Sequence, residues 1–335
     1  MVNGAPGSAW ASLRSTGATD AEEPTLLGTP AHDDPTPLRT EHLFDLASLT
    51  KVFTTVAALR LVESGALDLD APVARAMRVG AGEQAERITL RHLLTHTSGL
   101  PAEGRAWRTG LTGEELRAAV LRTPLRAEPG ETHLYSDVGF IAVGELLERV
   151  SGRSLAELVA DAASLLGATT LTWTPSAELS VATEVQPHRG LVRGEVHDEL
   201  AHALARPAGH AGLFGTVHDV AALARAIRDD GVGSRGRVLS SESIHFLTTP
   251  AATATGYEQA VGLRVRDASW MGEVDAVGHT GFTGTCLAVV PATGAFGVLL
   301  TNRVHPSRED ADLAAVRREF VRSLDDARPQ GRTTP

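Results

Sequence analysis

The 335-residue chain has little or none of several features, and each absence excludes a class of protein. Its only cysteine is Cys286, so no disulfide can form within the chain. Residues Met1–Asp20 lack the basic start and the apolar stretch of a signal peptide. No apolar run approaches the roughly 20 residues that a membrane-spanning helix needs. We therefore expect no membrane association and a cytoplasmic location.

Positive charge is scarce as well. Lys and Arg together number 31 against 41 Asp and Glu, which gives a net charge of −10. Nucleic acids and anionic lipids bind clustered cations, so neither is an expected partner. Lys51 is the only lysine, and the other basic residues in that count are all arginines. A desolvated lysine can release its proton and an arginine in a protein cannot, so Lys51 is a candidate general base.

The rest of the composition is that of an ordinary globular protein, with 42% hydrophobic residues and enough length for a large core. From Leu49 to Val62, apolar residues recur mostly at steps of three and four. This spacing predicts a helix that ends near Gly65. Ser48 lies at the start of that helix, and Lys51, one turn later, projects from nearly the same face.

Segments with strand composition lie towards both ends of the chain, with helices between them. The predicted strands are Ser8–Arg14, Pro24–Gly28, Ala260–Val265, Gly284–Val290 and Gly297–Asn302. The other predicted helices are Leu116–Leu121, Val138–Val150, Leu155–Leu166, Val217–Ile227 and Asp310–Leu324. The fold class is therefore α/β (α+β), with an inserted, mostly helical region near residues 75–215. We expect a single domain over residues 1–327 and a disordered tail at 328–335.

Three short segments carry residues suited to acyl transfer. A serine hydroxyl becomes a good nucleophile when a neighbouring group removes its proton. A lysine one helical turn away can do this if its neutral form is favoured, and Ser48 and Lys51 form such a Ser-x-x-Lys pair. The other segments are Tyr-Ser-Asp at residues 135–137, ahead of a helix, and His-Thr-Gly at residues 279–281, in strand-like surroundings.

In this order, the three segments resemble the serine β-lactamase and penicillin-binding-protein superfamily. The tyrosine and the histidine are more similar to those of class C β-lactamases and family VIII carboxylesterases than to those of class A enzymes. Further segments resemble the same group, namely Phe44–Lys51, Gly65–Val73, Leu93–Pro101, Gly209–Phe214 and Leu300–Arg303. The resemblance covers most of the chain. It implies a β-lactamase/transpeptidase-like fold, with an antiparallel sheet formed by N- and C-terminal segments and flanked by helices.

The resemblance also implies catalytic roles. Ser48 would attack the carbonyl carbon of the substrate, and Lys51 would accept or relay the serine proton. Tyr135 would be a second general base and would protonate the leaving group. The backbone N–H groups of Ser48 and Phe282 would form the oxyanion hole, which stabilises charge that develops in the transition state.

Substrate binding would involve four more residues. Gly281 would let its strand approach the substrate closely, and His279 and Thr280 would line the site and orient the substrate. His279 stands where most lactamases and peptidases have lysine, and an imidazole binds a carboxylate less reliably than an ammonium does. Asp137 replaces the usual asparagine and adds a charge that could hold Lys51 protonated. That would shift more of the base role to the tyrosine.

Other interpretations remain open at this point. Residues 136–138 could align with the Ser-Asp-Asn motif of class A enzymes, although Val138 stands where that motif has asparagine. His279 and Asp198 could form a triad with a serine, although no Gly-x-Ser-x-Gly elbow is present. We expect no metal and no cofactor, since no zinc spacing is formed by the loop histidines His188, His197, His202 and His210.

The sequence therefore predicts a serine hydrolase that cleaves a small ester or amide through a covalent acyl-enzyme on Ser48. An acyltransferase would use the same residues and pass the acyl group to an amine or an alcohol. A β-lactamase or D-Ala-D-Ala peptidase is less favoured because of His279, and a noncatalytic binder fits badly with an intact reactive set. The expected partner is a small-molecule ester, amide or other acyl donor, and no sequence feature indicates an oligomeric state.

Overall fold

The structure, a computed structural model, describes residues 7–16, 23–103, 105–309 and 312–325. The tail predicted to be disordered, residues 328–335, lies outside the described residues. Within these ranges, no helix combines the length and the apolar composition that crossing a membrane requires.

Most of the strands join one antiparallel sheet. The strands are β1 (Ala9–Ser15), β2 (Thr25–Gly28), β3 (Phe44–Asp45), β4 (Val185–Gln186), β5 (Gly190–Leu191), β6 (Phe214–Gly215), β7 (Val232–Gly233), β8 (Gly236–Arg237), β9 (Ala252–Ala254), β10 (Tyr257–Gln259), β11 (Arg264–Val265), β12 (Val277–Thr280), β13 (Cys286–Val290) and β14 (Ala295–Thr301). In the described part of the chain, eight of them form a sheet in the order β2-β1-β14-β13-β12-β11-β10-β9. Its strands come from the N-terminal segment and from the last third of the chain, which confirms the expected sheet.

The central strands of this sheet are buried on both faces. In β13, Leu287 and Val289 belong to the larger hydrophobic core, whereas Cys286, Ala288 and Val290 belong to a smaller core. Successive side chains of a strand point to opposite faces, so a continuous apolar run fits a strand that is covered on both sides. Full burial of one large aliphatic side chain contributes about 1.5–3 kcal/mol.

Helices cover both faces of the sheet. They are α1 (Thr50–Glu63), α2 (Leu90–Leu94), α3 (Gly113–Leu121), α4 (Asp137–Ser151), α5 (Leu155–Leu166), α6 (Glu199–Leu204), α7 (Val217–Arg228), α8 (Ser241–Thr248), α9 (Ala268–Met271) and α10 (Ala314–Asp325). α7 packs on β1, β13 and β14, and α10 packs on α9, β13 and β14 with the smaller core. α1 contacts α4 and α5, and all ten residues from Thr50 to Leu59 are buried, so α1 is the central helix.

Strong local signals account for the elements that are confirmed. Thr216 caps α7 by accepting the N–H of Asp219. α4 ends at Gly152, whose φ of +69° is the left-handed conformation that favours glycine after a helix. β1, β2, α1, α5 and α10 also lie where the sequence predicts them, with shifts of a few residues at their ends.

The strand predicted at Ala260–Val265 is wrong in its first part, since β11 covers just Arg264–Val265. Residues 260–263 form a tight turn in which the N–H of Ala260 donates to the Leu263 carbonyl at 2.8 Å. Gly262, with φ of +78°, makes this turn possible. An apolar turn that is buried against α1 has the composition of a strand, which explains the error. The division into one domain with a helical insertion stays a prediction.

Candidate active site

Ser48 lies in a single 3-10 turn, Ala47–Leu49, that leads directly into α1. Ala47 has a φ of +47°, a left-handed conformation that an alanine adopts only when its surroundings impose it. Asp45 supplies much of this constraint, because its Oδ1 accepts the N–H of Ala47 at 2.8 Å and its Oδ2 accepts the N–H of His197 at 2.7 Å. In this turn Ser48 is partly exposed, although both of its neighbours are buried.

Lys51 follows one turn later and is completely buried. Its Nζ donates to Ser48 Oγ at 3.0 Å and to the His210 carbonyl at 3.0 Å, and it lies 2.7 Å from Asp137 Oδ1. A lysine ammonium has three donors to satisfy. Three oxygen acceptors therefore match the protonated form of Lys51.

Opposing effects act on the pKa of Lys51. Burial is the largest of them and lowers the pKa, but the Asp137 carboxylate and the Tyr135 phenol together outweigh it. The pKa of Lys51 consequently lies above the ordinary lysine value. Lys51 is a cation at neutral pH that donates to the Ser48 oxygen, so the hydroxyl proton of Ser48 is left for a different acceptor.

Asp137 is the first residue of α4, where the helix N-terminus favours negative charge. Ser136 caps the same helix, since its Oγ accepts the N–H of Gly139 at 3.0 Å and donates to the Pro101 carbonyl at 2.7 Å. Val138 is buried in the core. Residues 136–138 therefore do not present the alternative Ser-Asp-Asn register to the site, and Asp137 alone of the three contacts Lys51.

The Tyr135 ring lies between an imidazole and two cations. Its centroid is 4.4 Å from that of His96. Lys51 Nζ lies 4.9 Å and Arg264 Cζ 5.3 Å from the centroid of the tyrosine ring. His96 also fixes the adjoining loop, because its Nδ1 accepts the N–H of Ser136 at 3.0 Å. Tyr135 is thus beside Lys51.

His279 lies at the other side of the site, on β12, with its ring centroid 6.0 Å from that of Tyr135. Its Nδ1 lies 2.8 Å from the Thr280 carbonyl, so Nδ1 carries the proton and donates it. Burial, followed by the charges of Arg264 and Lys51, lowers the pKa of His279 well below the usual value. The imidazole is therefore neutral at neutral pH and does not replace the charge of a lysine.

The turn after β12 is fastened to the segment that precedes the serine. Thr283 Oγ1 donates to the Asp45 carbonyl at 2.7 Å, and Thr285 Oγ1 donates to the Leu46 carbonyl at 3.0 Å. The approach is so close that a Cβ at Gly281 would lie 2.0 Å from Thr285 Oγ1 and 2.6 Å from the Leu46 oxygen. Glycine is therefore required at this position for steric reasons.

Two backbone N–H groups in these segments are free. Within the ranges that the structure describes, neither the N–H of Ser48 nor that of Phe282 has an acceptor. A partly buried N–H such as that of Ser48 is nearly always paired, so a free one is open to an external acceptor, whereas the N–H of the exposed Phe282 can also donate to water. The Phe282 side chain is 47% exposed and stacks on the His197 ring with centroids 5.7 Å apart.

The other proposed groupings are not brought together. Asp198 lies 3.0 Å from His210 Nε2, while His279 bonds its own neighbour, so a triad of Asp198 and His279 is not formed. His197 pairs with Glu184 at 3.0 Å. Across the described residues, no three His, Cys, Asp or Glu side chains are grouped in a way that could hold a metal ion.

Several residues that shape the site were not predicted from the sequence. Asp45, Thr283 and Thr285 act on the backbone, and Arg264 approaches Tyr135 from the neighbouring strand β11. The two threonines could have been identified from their position in the turn that follows the His-Thr-Gly segment. Arg264 gives no such signal, because one arginine among many has no distinctive spacing.

Comparisons with known proteins agree on one family. The family model described as Beta-lactamase matches residues 15–322. A putative D-alanyl-D-alanine carboxypeptidase of Escherichia coli (strain K12) is 28% identical over 318 residues, which cover 83% of this chain and 73% of the relative.

Solved structures are similar in fold. EstCE1, described as a hydrolase with promiscuous acyltransferase activity, has a TM-score of 0.77 and 22% identity, with 94% of this chain and 93% of that chain covered. A class C β-lactamase from Rhodobacter sphaeroides has a TM-score of 0.75 and 22% identity, with 96% and 94% covered. At this identity the likeness concerns the fold, and it confirms the predicted mixed α/β architecture.

Proposed function

Because this chain belongs to the beta-lactamase family and is a serine hydrolase, we propose that it cleaves a small ester or amide through an acyl-enzyme on Ser48. One observation carries the proposal. Lys51 donates to Ser48 Oγ at 3.0 Å while its own pKa is raised, so the serine oxygen is held in place with its proton available for removal.

In the proposed acylation step, Tyr135 in its phenolate form accepts the Ser48 proton while Oγ attacks the carbonyl carbon. The bond from that carbon to the leaving oxygen or nitrogen then breaks, and Tyr135 returns the proton to the leaving group. The cations Lys51 and Arg264 lie beside the Tyr135 ring, with Nζ 4.9 Å and Cζ 5.3 Å from its centroid. The oxyanion would accept hydrogen bonds from the N–H groups of Ser48 and Phe282.

Hydrolysis and acyl transfer differ in the second step. Water gives up a proton to Tyr135 and attacks the acyl carbon. The bond from that carbon to Ser48 Oγ then breaks, the acid is released, and Tyr135 passes the proton to Oγ to restore the Ser48 hydroxyl. An alcohol or amine bound in place of water would give a new ester or amide by the same route. We propose water as the principal acceptor, with acyl transfer as an alternative that this fold supports, since EstCE1 is described as having promiscuous acyltransferase activity.

A substrate with a free carboxylate is a second candidate, and Arg264 favours it. Its side chain is 19% exposed, its Cζ lies 4.8 Å from the Tyr257 ring, and it donates to Asp267 at 2.8 Å. A guanidinium can bind a carboxylate through two parallel N–H groups, which the neutral His279 cannot do. The relative from Escherichia coli is named a putative D-alanyl-D-alanine carboxypeptidase, an activity whose substrate ends in a carboxylate.

The proposal is tested first by covalent labelling. Wild type, Ser48→Ala and the matched control Ser64→Ala, at the exposed end of α1, are incubated with a fluorophosphonate, and their intact masses are measured. One adduct on wild type and on Ser64→Ala, and none on Ser48→Ala, is expected. An adduct on Ser48→Ala would contradict the assignment of the nucleophile.

The substrate class is tested with paired esters that differ by one carboxylate. We expect the neutral ester to be turned over at least as fast as the charged ester. Arg264→Gln is expected to show the same preference between the two. Faster turnover of the charged member, lost in Arg264→Gln, would favour the second candidate. Products formed with an added alcohol or amine separate transfer from hydrolysis, because a transferase yields the acylated acceptor faster than the free acid.

A further inference from the structure

One side chain from the C-terminal helix α10 reaches the turn that contains Phe282. Arg317 Nη2 donates to the backbone carbonyl of Gly281 at 3.0 Å and to that of Thr285 at 3.1 Å. The guanidinium also lies beside the Cys286 thiol, and burial lowers the pKa of Arg317. Burying a guanidinium that bonds neutral carbonyl oxygens is unfavourable by itself. An ordinary surface charge interaction therefore does not explain this contact.

The contact orients a peptide bond of the candidate oxyanion hole. In a trans peptide, the C=O and the N–H point in opposite directions. Because the carbonyl of Gly281 is directed at Arg317, the N–H of Phe282 in the same peptide points away from α10. Gly281 itself lies against the segment that leads to the serine, since a Cβ placed on it would be 2.6 Å from the Leu46 oxygen and 3.3 Å from Ala47 Cβ.

This peptide needs to be held because one of its residues is a glycine. Glycine adopts φ values of either sign at little cost, so the plane of the Gly281–Phe282 peptide can rotate unless another group fixes it. The N–H of Gly284 also donates to the Gly281 carbonyl, at 3.1 Å, and Arg303 Nε donates to the next carbonyl, that of Phe282, at 2.7 Å. Among the described residues, two donors hold the Gly281 oxygen, and Arg317 is the charged one.

We propose that Arg317 is a positioning residue that keeps the N–H of Phe282 directed at the carbonyl oxygen of the acyl group bound to Ser48. It touches neither substrate nor nucleophile and acts through the peptide bond. The inference rests on the proposed acyl-enzyme function. Loss of one oxyanion-hole donor lowers kcat about 10²–10³-fold, and that range is the upper limit for loss of Arg317.

The test compares Arg317→Met with Arg318→Met, which removes an exposed arginine of the same helix that bonds the Ser269 carbonyl. The rates are measured for an oxygen ester and for its thiono analogue, in which the weakly accepting sulfur would enter the oxyanion hole. For Arg317→Met we expect kcat to fall at least about tenfold with little change in KM, and the ratio of oxygen-ester to thiono-ester rates to shrink with it. Arg317→Lys, which keeps a charged donor, is expected to recover part of both.

Crystal structures of wild type and variant provide a readout that does not depend on turnover. We expect the Gly281–Phe282 peptide to be rotated or disordered in Arg317→Met. An unchanged peptide together with an unchanged rate ratio would overturn the inference. If Arg317→Met does not fold, Arg317→Lys is measured in its place. The same changes in rate ratio and peptide orientation are then expected, but smaller. Turnover by Ser48→Ala would instead refute the proposed function, while the orientation of the peptide would still decide the role of Arg317.

Discussion

The two sides of the candidate site carry different kinds of chemical group. The helix side, formed by Ser48, Lys51, Tyr135 and Asp137, consists of reactive side chains with an ammonium and a carboxylate 2.7 Å apart. The sheet side, residues 279–285, carries a neutral imidazole and contributes mainly backbone, held by threonine hydroxyls and by Arg317. One side therefore supplies charge and proton transfer, and the other supplies fixed dipoles.

The difference shows why the two sides respond differently to mutation. Charged groups in a buried site interact strongly, so removing one partner changes the protonation of the other. Backbone donors keep their identity in every variant, and only their direction can change. We therefore expect large, pH-dependent effects on activity on the helix side, and smaller, pH-independent effects on activity where the sheet side acts through its backbone.

Lys51→Met is expected to have the largest effect, because it removes the cation of the helix side. The Asp137 carboxylate would lose its partner, and the Ser48 oxygen would lose its donor. We predict a loss in kcat/KM of about 10²–10⁴-fold. The matched control is Arg60→Met, which removes a cation from the last turn of the same helix. Retention of activity within a few-fold by Lys51→Met would contradict the role of Lys51.

Asp137→Asn is expected to have the next largest effect. It removes the charge that raises the pKa of Lys51, so the alkaline limb of the activity profile should move to lower pH, with kcat/KM reduced about tenfold.

The sign of the linked stability effect follows from the raised pKa. The Asp137–Lys51 pair stabilises the folded state below the ordinary lysine pKa of 10.5, and this contribution is lost as the pH rises through the higher folded-state pKa. The difference in free energy of unfolding between wild type and Asp137→Asn, measured with denaturant, should therefore shrink above that pH. A constant difference would show that Asp137 does not act through Lys51.

Thr283→Val tests the sheet side without changing any charge. It leaves the Asp45 carbonyl without its donor at 2.7 Å, which should lower the free energy of unfolding by about 1–3 kcal/mol. We expect kcat to fall less than the about 10²–10³-fold that follows complete loss of an oxyanion donor, with an unshifted pH profile. Thr283→Ser retains the hydroxyl and should behave as wild type. A shifted pH profile in Thr283→Val would contradict the division between the two sides.

His279→Asn is expected to have the smallest effect at neutral pH, because the imidazole is already neutral and asparagine keeps a donor close to the Thr280 carbonyl. The effect should appear in acid. The pKa of His279 is lowered on folding, so the unfolded chain binds the extra proton, and wild type loses stability as the pH falls below 6.5. The free energy of unfolding of the variant should fall less steeply with decreasing pH than that of wild type, by up to about 1.4 kcal/mol per pH unit. Identical slopes in both proteins would refute the buried neutral state.

The same comparison explains what could be predicted from the sequence. On the helix side, the spacing of Ser48 and Lys51 is local, whereas Tyr135 and Asp137 lie far along the chain from Lys51 and are identified by the resemblance. Apolar composition predicts strands at β13 and β14, and the resemblance to the serine β-lactamase superfamily implies that the sheet is antiparallel. The sheet side depends on partners more than 30 residues away, such as Arg317 bonding Gly281. Spacing along the chain carries no information on such contacts.

The central claim is that Lys51 is a cation in the resting enzyme, so that Tyr135 takes the Ser48 proton. Because Lys51 is the only lysine, labelling with ¹⁵N-lysine gives a single side-chain Nζ signal, whose chemical shift distinguishes an ammonium from an amine. The account predicts an ammonium signal over the whole pH range of activity, with deprotonation only above the ordinary lysine pKa of 10.5. A signal that titrates near neutral pH, in step with activity, would make Lys51 the base and contradict the account.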